Sequence, residues 1–456
     1  MLTPSQIAAL AIFAGVFVSL ITGKVRRFIA ALIGAALTLL VVFLGIERNP
    51  QAAIGVLNLA EIGQRTFWIG HYQPSAHFGV NWQTILFIAG MMVLVEGLRA
   101  VGFFRWLCLN TAQIVNYRVV PIELLFLVLA GVLSMFLDSV TVILFMASVT
   151  IELARLLKIN PVPLIIAEIV AANAGGTSTM VGDPPNVIIG TSLGLGFNAF
   201  VVNLAPIVWV GIAVALGYFL LRFRKGKDGT GGEVGISVAH YPKPGEAISK
   251  GDLFGIQVAI LLLVVALLVV HEKVGLSVVA VSFIGAGATL AASPKRAASL
   301  IKGVDWRTLL FFLGLFVSVS GLEQTGLLPL LASYIGTISG HSLVVATLLV
   351  FWVSAFVSSI VDNIPFVSLM VPVIVHLSQA TGGALTTFAW SLSLGGNVGG
   401  SATPIGASAN VVGVAVAEKT GHRITWKKYL NYAAPPTLII LVICNLMLVV
   451  RYLGGF

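Results

Sequence analysis

The chain has 456 residues, 58% of them hydrophobic and only 9% charged, with a mean hydropathy of +1.03 and a net charge of +9. A soluble domain carries about 25% charged residues, so there is too little polar side chain here to cover a water-soluble globule. The composition excludes a soluble fold and describes a polytopic membrane protein.

Pro4–Thr22 is the first run able to cross a bilayer, a task that takes about 20 apolar residues. No basic residue precedes it and Phe28–Leu44 follows at once, so it reads as a span rather than a signal peptide. Residues 47–80 then form a long loop, in which QAAIGVLNLAEIG reads as a short helix along the interface. Ten crossings are expected, near 4–22, 28–46, 82–98, 162–191, 200–221, 253–270, 275–292, 306–322, 383–415 and 430–450. Two further apolar segments, about 121–157 and 344–378, read as re-entrant hairpins that enter and leave on one side, with a polar tip at mid-depth. RKGKDGTGGE and YPKPGE mark 224–252 as the linker between a first unit, 1–223, and a second, 253–456.

The basic residues sort by this topology. Lys24, Arg26, Arg27, Arg99, Arg105, Arg118, Arg155 and Lys158 share one face with the six basic residues of Arg222–Lys250. The same face takes Lys295, Arg296, Lys302, Arg307, Lys419, Arg423, Lys427 and Lys428, leaving only Arg48, Arg65, Lys273 and Arg451 opposite. The crowded face is then cytoplasmic and both termini point outward, in a cell inner membrane. Basicity records topology, and no nucleic-acid partner is implied. Cys108 and Cys444 have no Cys or His at ligand spacing and read as packing residues.

NAGGTSTMVGDPPN from Asn173 recurs as NVGGSATPIGASAN from Asn397, an offset of 224 residues. NWQTILFIAGMMVLVEGLRAVG from Asn81 matches DWRTLLFFLGLFVSVSGLEQTG from Asp305, and FLDSVTVILFMASV matches IVDNIPFVSLMVPV, both at that offset. Three gapless matches at one spacing are an internal duplication. The first unit crosses an odd number of times, so the two copies are inverted, as in secondary transporters that hold substrate at the repeat interface.

Gly-Gly, hydroxyls, a third Gly and then Pro184-Pro185 cannot continue a regular helix. Irregular backbone at membrane depth survives only when buried in protein or lining a wet cavity. The half-helix ends it exposes are partial charges suited to small solutes. Asn173, Gly176, Thr177, Ser178, Thr179 and Asn186 in one copy, with Asn397, Gly400, Ser401, Thr403, Ser408 and Asn410 in the other, add neutral hydrogen-bonding groups. The hairpin tips add Asp138, Ser139 and Thr141, and Asp362 and Asn363. A carboxylate at that depth is either a functional group or a helix N-cap. Asp183 faces Ala407 in the other copy; it either makes the two halves unequal for one asymmetric solute or braces its turn. Glu96 with Arg99, and Glu152 with Arg155, read as surface pairs; Glu168 could join a proton path, and His376 reads as interfacial.

At these residues the chain resembles the ion-transporter superfamily, in its ArsB/NhaD/P-permease branch of arsenite efflux pumps, sodium/proton antiporters and the melanosomal P protein, related to citrate and dicarboxylate carriers. The resemblance implies an all-α inverted-repeat fold of about ten spans, two re-entrant hairpins and two broken helices. It also implies a scaffold and a mobile transport region moving as an elevator. The binding region carries over to Asp138–Thr141, Asn173–Asn186, Asp362–Pro365 and Asn397–Asn410. Asp138-Ser139 departs from the Asp-Asn of many relatives, which puts a sodium ion at the first tip in doubt and leans toward protons.

The expected solute is arsenite or antimonite exported against protons; sodium/proton exchange, with sodium near Asp138 and Asp362, and organic-anion carriage are the alternatives. The tips show no basic residue placed for a multiply charged anion. No cofactor motif is present. An intramembrane enzyme is disfavoured: His271-Glu272 lacks the second His of a zinc protease, and the two Asp tips sit beside broken helices. A homodimer and a cytoplasmic ATPase partner are not legible in the sequence.

Overall fold

The computed structural model describes residues 2–70, 79–224, 242–249, 251–340 and 342–454. Most of the expected linker and part of the 47–80 loop lie outside the described residues.

Helix α1 (Pro4–Thr22) starts from a capping box, in which Thr3 and Gln6 exchange side chain-to-backbone bonds. Helix α2 (Arg27–Leu37) runs on through π turns to Ile46. The following loop folds as α3 (Pro50–Leu57), a 3-10 turn and α4 (Arg65–Trp68), so the expected surface helix is present in two short pieces. Then come α5 (Trp82–Ala100), α6 (Phe103–Ile114), α7 (Val119–Ser134), α8 (Ser139–Leu157), α9 (Val162–Thr177), α10 (Pro184–Leu193), α11 (Phe197–Asn203) and α12 (Ala205–Arg224). The second half brings α13 (Gly251–Val270), α14 (Val278–Ala292), α15 (Ala297–Gly303), α16 (Trp306–Gln324), α17 (Leu327–Ile338), α18 (Leu343–Ile360) and α19 (Asn363–Thr381). It closes with α20 (Leu385–Ser393), α21 (Ser408–Lys419) and α22 (Trp426–Tyr452).

Ten of these helices are long and apolar enough to cross a membrane, or up to twelve if each of two bent pairs counts as a span. The protein is an all-helical, multi-pass membrane protein. Large apolar side chains such as Ile54, Phe356 and Val450 face outward, while the polar stretch around Asn173 is fully buried. A soluble protein shows the reverse arrangement.

From α5 onward the halves repeat cap for cap. Asn81 and Asp305 cap α5 and α16, and Asp138 and Asp362 cap α8 and α19. Left-handed Gly102 and Gly326 turn the chain into α6 and α17. These last two helices were not expected; each is short and apolar on one side only. The copies exchange partners, since α5 packs on α14 and α16 packs on α2. Gly97 lets α5 approach Thr289 just as Gly321 lets α16 approach Thr38, and Gly34 and Gly285 play matching roles against Val16 and Val264. The offset is 251 between α2 and α14 and 248 between Val16 and Val264, rather than 224, because the 47–80 loop makes the first copy longer, so α1 and α2, the copies of α13 and α14, fall outside the 224-residue matches.

The hairpins and breaks carry further detail. Arms α8, α18 and α19 have 18 or 19 residues, about 27–29 Å of helix. By length and composition each is long enough to cross a membrane. The break after α9 is followed by a second one, where α11 turns by 115° from α10, so the span expected at 200–221 is α12 alone. The second broken span also holds a π turn over Leu394–Val398, where its counterpart in the first copy is regular α-helix.

Candidate functional site

The breaks form because the backbone folds onto itself. A Cβ on Gly182 would overlap the carbonyls of Ser134 and Gly176, and one on Gly406 would overlap those of Ser358 and Gly400. Only glycine permits these approaches. Thr179 donates to Met135 O and Thr403 donates to Ser359 O, both at 2.5 Å, tying each break to the first arm of its hairpin. The Asn186 amide then donates to the carbonyls of Thr177 (3.0 Å) and Thr179 (2.8 Å), and the Asn410 amide to those of Gly400 and Thr403, both at 2.7 Å. These are the carbonyls that the interrupted helices leave unpaired.

The two breaks meet. Asn397 donates to Asn186 Oδ1 at 2.7 Å, and in the twin contact Asn173 donates to Asn410 Oδ1 at 2.7 Å. Ser393, which sequence reasoning passed over, adds a 2.6 Å bond to Asn186 Oδ1. All four asparagines are fully buried.

The tips converge on Asp183. Ser139 donates to one carboxylate oxygen at 3.3 Å and Asn363 to the other at 3.3 Å, so one residue of the first break receives both hairpins. Asn363 also donates to Asn397 Oδ1, and there the two halves differ. Its counterpart Ser139 is shorter, and the equivalent atom, Asn173 Oδ1, is buried with no partner. Ser134, Ser178, Ser358 and Ser401 likewise keep buried hydroxyl oxygens without partners, while Thr177 turns back to Asn173 O.

Both tip aspartates are helix caps. Asp138 accepts from Thr141 N at 2.9 Å and Thr141 Oγ1 at 2.6 Å. Asp362 accepts from Ile364 N at 3.1 Å and from Ser408 at 2.7 Å. Its Oδ2 also lies 2.6 Å from the Arg27 guanidinium, which bonds Ser408 at 2.8 Å. Arg27 corrects the reading that no basic residue reaches the tips. The topology puts it on the basic face with Lys24 and Arg26, and nothing in its local sequence separates it from them.

A cavity of about 460 Å³ opens beside these groups, lined by Arg27, Asp138, Thr141, Ser408 and apolar residues of α5, α8 and α21. The lining also includes Glu96, Arg99, Gly303 and Asp305. On the far side of the breaks Asn81 and Thr84 bond Thr191 and Asn198 bonds Val269 O at 2.7 Å, beside a smaller cavity of about 200 Å³ lined by Gln83, Thr191, His271 and Glu272.

The remaining candidates lie apart from this centre. Glu168 accepts from Thr150 at 2.5 Å inside the α8–α9 contact. Arg99 pairs with Glu96 as expected, but Glu152 is taken by Arg105 of α6 at 2.6 Å rather than by Arg155. His376 is not merely interfacial: its Nε2 lies 2.7 Å from Glu323 of α16. Cys108 and Cys444 are free and buried. Among the described residues no three His, Cys, Asp or Glu side chains gather as a metal site.

The sequence model described as "Citrate transporter" (CitMHS) matches residues 17–395. An uncharacterized transporter of Mycobacterium tuberculosis is 32% identical over 98% of this chain and 99% of its own length. The human P protein is 28% identical over 94% of this chain and 58% of its own. The crystal structure of the YdaH transporter of Alcanivorax borkumensis superposes with a TM-score of 0.52 at 15% identity, covering 89% of this chain and 90% of that one.

Proposed function

This chain belongs to the CitMHS citrate transporter family, and we propose that it exports a small uncharged hydroxylated solute, arsenous or antimonous acid, in exchange for protons. It is a membrane transporter and not an enzyme; the solute, the coupling ion and the residues that handle them are our reading. The observation that carries it is the chemistry around the tips. The uncharged polar groups at the tips are hydroxyls and amides (Ser139, Thr141, Asn363, Ser408), the cavity beside them is largely apolar, three of its five charged residues are carboxylates, and the Arg27 guanidinium is already spent on Asp362 and Ser408. A tricarboxylate would meet Asp138, Asp305 and Glu96, with Arg99 already paired to Glu96. An uncharged polyol-like solute needs only donors and acceptors.

Asp183 suits the coupling role. It is buried, receives both tips, and has Ala407 in the other copy, so a single proton accompanies a single solute. The reading places the transport region at the two hairpins and two broken helices, the scaffold at α1, α2, α5, α13, α14 and α16, and the basic face in the cytoplasm of a cell membrane with both termini outside. Units 1–223 and 253–456 are the two repeats in this scheme.

Sodium/proton exchange is the second reading, favoured by Asp138, whose carboxylate accepts only from its own helix and keeps lone pairs toward the cavity. Asp362 is less suited to a cation while Arg27 holds it. Everted vesicles carrying an imposed pH gradient decide the matter. Arsenite or antimonite should collapse the gradient; collapse by sodium alone selects the second reading, and collapse by citrate alone rejects both.

A further inference from the structure

We propose that Arg27 is a latch of this carrier: a cation tethered to the scaffold that neutralises Asp362 when the cavity opens to the basic face, and that withholds movement until a proton or the solute takes its place. The inference rests on the reading of the hairpins as the moving part.

Arg27 is the first residue of α2, which packs against α1 and α16, whereas Asp362 caps α19 and Ser408 begins α21. The three form a closed triangle of 2.6, 2.7 and 2.8 Å between a scaffold helix, a hairpin and a broken helix. The carboxylate is 8% exposed and the arginine 41%, so a partly exposed cation of the cavity wall covers a nearly buried anion. The other charged groups nearby are Asp183, linked to the tip through Asn363, and Asp138, Glu96, Arg99 and Asp305 of the cavity wall. The one other cation, Arg99, is paired with Glu96 at 3.1 Å, so among these groups Arg27 alone bonds Asp362.

Sliding the hairpin along α2 breaks the triangle. A bare carboxylate carried into apolar surroundings is strongly disfavoured, so Asp362 leaves Arg27 only with a proton, or with solute bridging the lost contacts. The repeat makes this a one-sided device. The counterpart of Asp362 is Asp138, that of Ser408 is Pro184, and at the 251-residue offset the counterpart of Arg27 is Val278. When the cavity opens to the opposite face, α14 offers Asp138 no cation. A carrier with neither proton nor solute bound is therefore held facing the basic side, and its reorientation is blocked there.

Val411, exposed on the cavity wall, reports the equilibrium without any solute. In Val411→Cys, a membrane-impermeant maleimide applied from the basic face should label quickly. Adding Arg27→Gln should slow labelling about fivefold, as the population shifts away from that face. Arg27→Lys, which keeps the charge, should label close to the parent rate. Equal rates for Arg27→Gln and the parent overturn the proposal, as do equal losses in Gln and Lys variants with lowered melting temperatures. In solute-free proteoliposomes, Arg27→Gln should dissipate an imposed pH gradient that the wild type holds; a tight Arg27→Gln variant also overturns it. Failure of the wild type to respond to arsenite would reject the proposed solute while leaving both readouts in force.

Discussion

At Asp183 the two copies of the repeat become unequal. It accepts Ser139 from one hairpin and Asn363 from the other, and nothing stands in its place at Ala407. Asp183→Asn keeps the size and one acceptor but cannot carry a proton. It should leave solute exchange measurable while removing its dependence on the pH gradient, with little change in expression. Asp138→Ala and Asp362→Ala should each abolish coupled transport, since each also removes a cap worth about 1 kcal/mol to its helix. Wild-type flux in both would refute the site. Asn186→Ala should do more damage to folding than to coupling. It strands three buried carbonyls together with the Ser393 and Asn397 donors, each costing about 1–3 kcal/mol, and should lower the melting temperature measured in detergent. Cys108→Ser with Cys444→Ser should retain transport, because both thiols are buried away from the cavity; loss of arsenite flux there would mean that thiols capture the metalloid.

Among the elements, the breaks were legible in sequence because their causes are local. Gly-Gly, Gly-Asp-Pro-Pro and the flanking asparagines name both the place where the helix stops and the groups that repair it. Gly182→Ala and Gly406→Ala should each lose monodisperse protein by size-exclusion chromatography, because the new methyl meets backbone that cannot retreat. Gly287→Ala, with open space around it, is the control expected to behave as wild type. Amphipathic α6 and α17 were hidden between longer apolar runs, and the π turn at Leu394–Val398 has no sequence signature that separates it from its α-helical twin. Arg27 was illegible for a different reason. Its partner lies 335 residues away, and only packing shows which of three clustered cations turns inward.

For the whole molecule, the inverted repeat makes the asymmetry of this state informative. Glu323 on α16 and His376 on α19 are joined at 2.7 Å, whereas their counterparts, Arg99 and Glu152, are bonded to Glu96 and Arg105 instead. If the halves exchange conformations during transport, the first pair parts as the second closes. Cysteines at 323 and 376 should then cross-link most readily when the cavity faces the basic side, and cysteines at 99 and 152 under the opposite condition; identical cross-linking of both pairs in every condition would deny the exchange. The most direct test of the account is the ratio of protons to solute moved in proteoliposomes, compared between wild type and Asp183→Asn. A fixed ratio in the wild type that falls to zero in Asp183→Asn, with solute exchange persisting, is the predicted result. An unchanged ratio would show that the point where the two hairpins meet does not carry the proton.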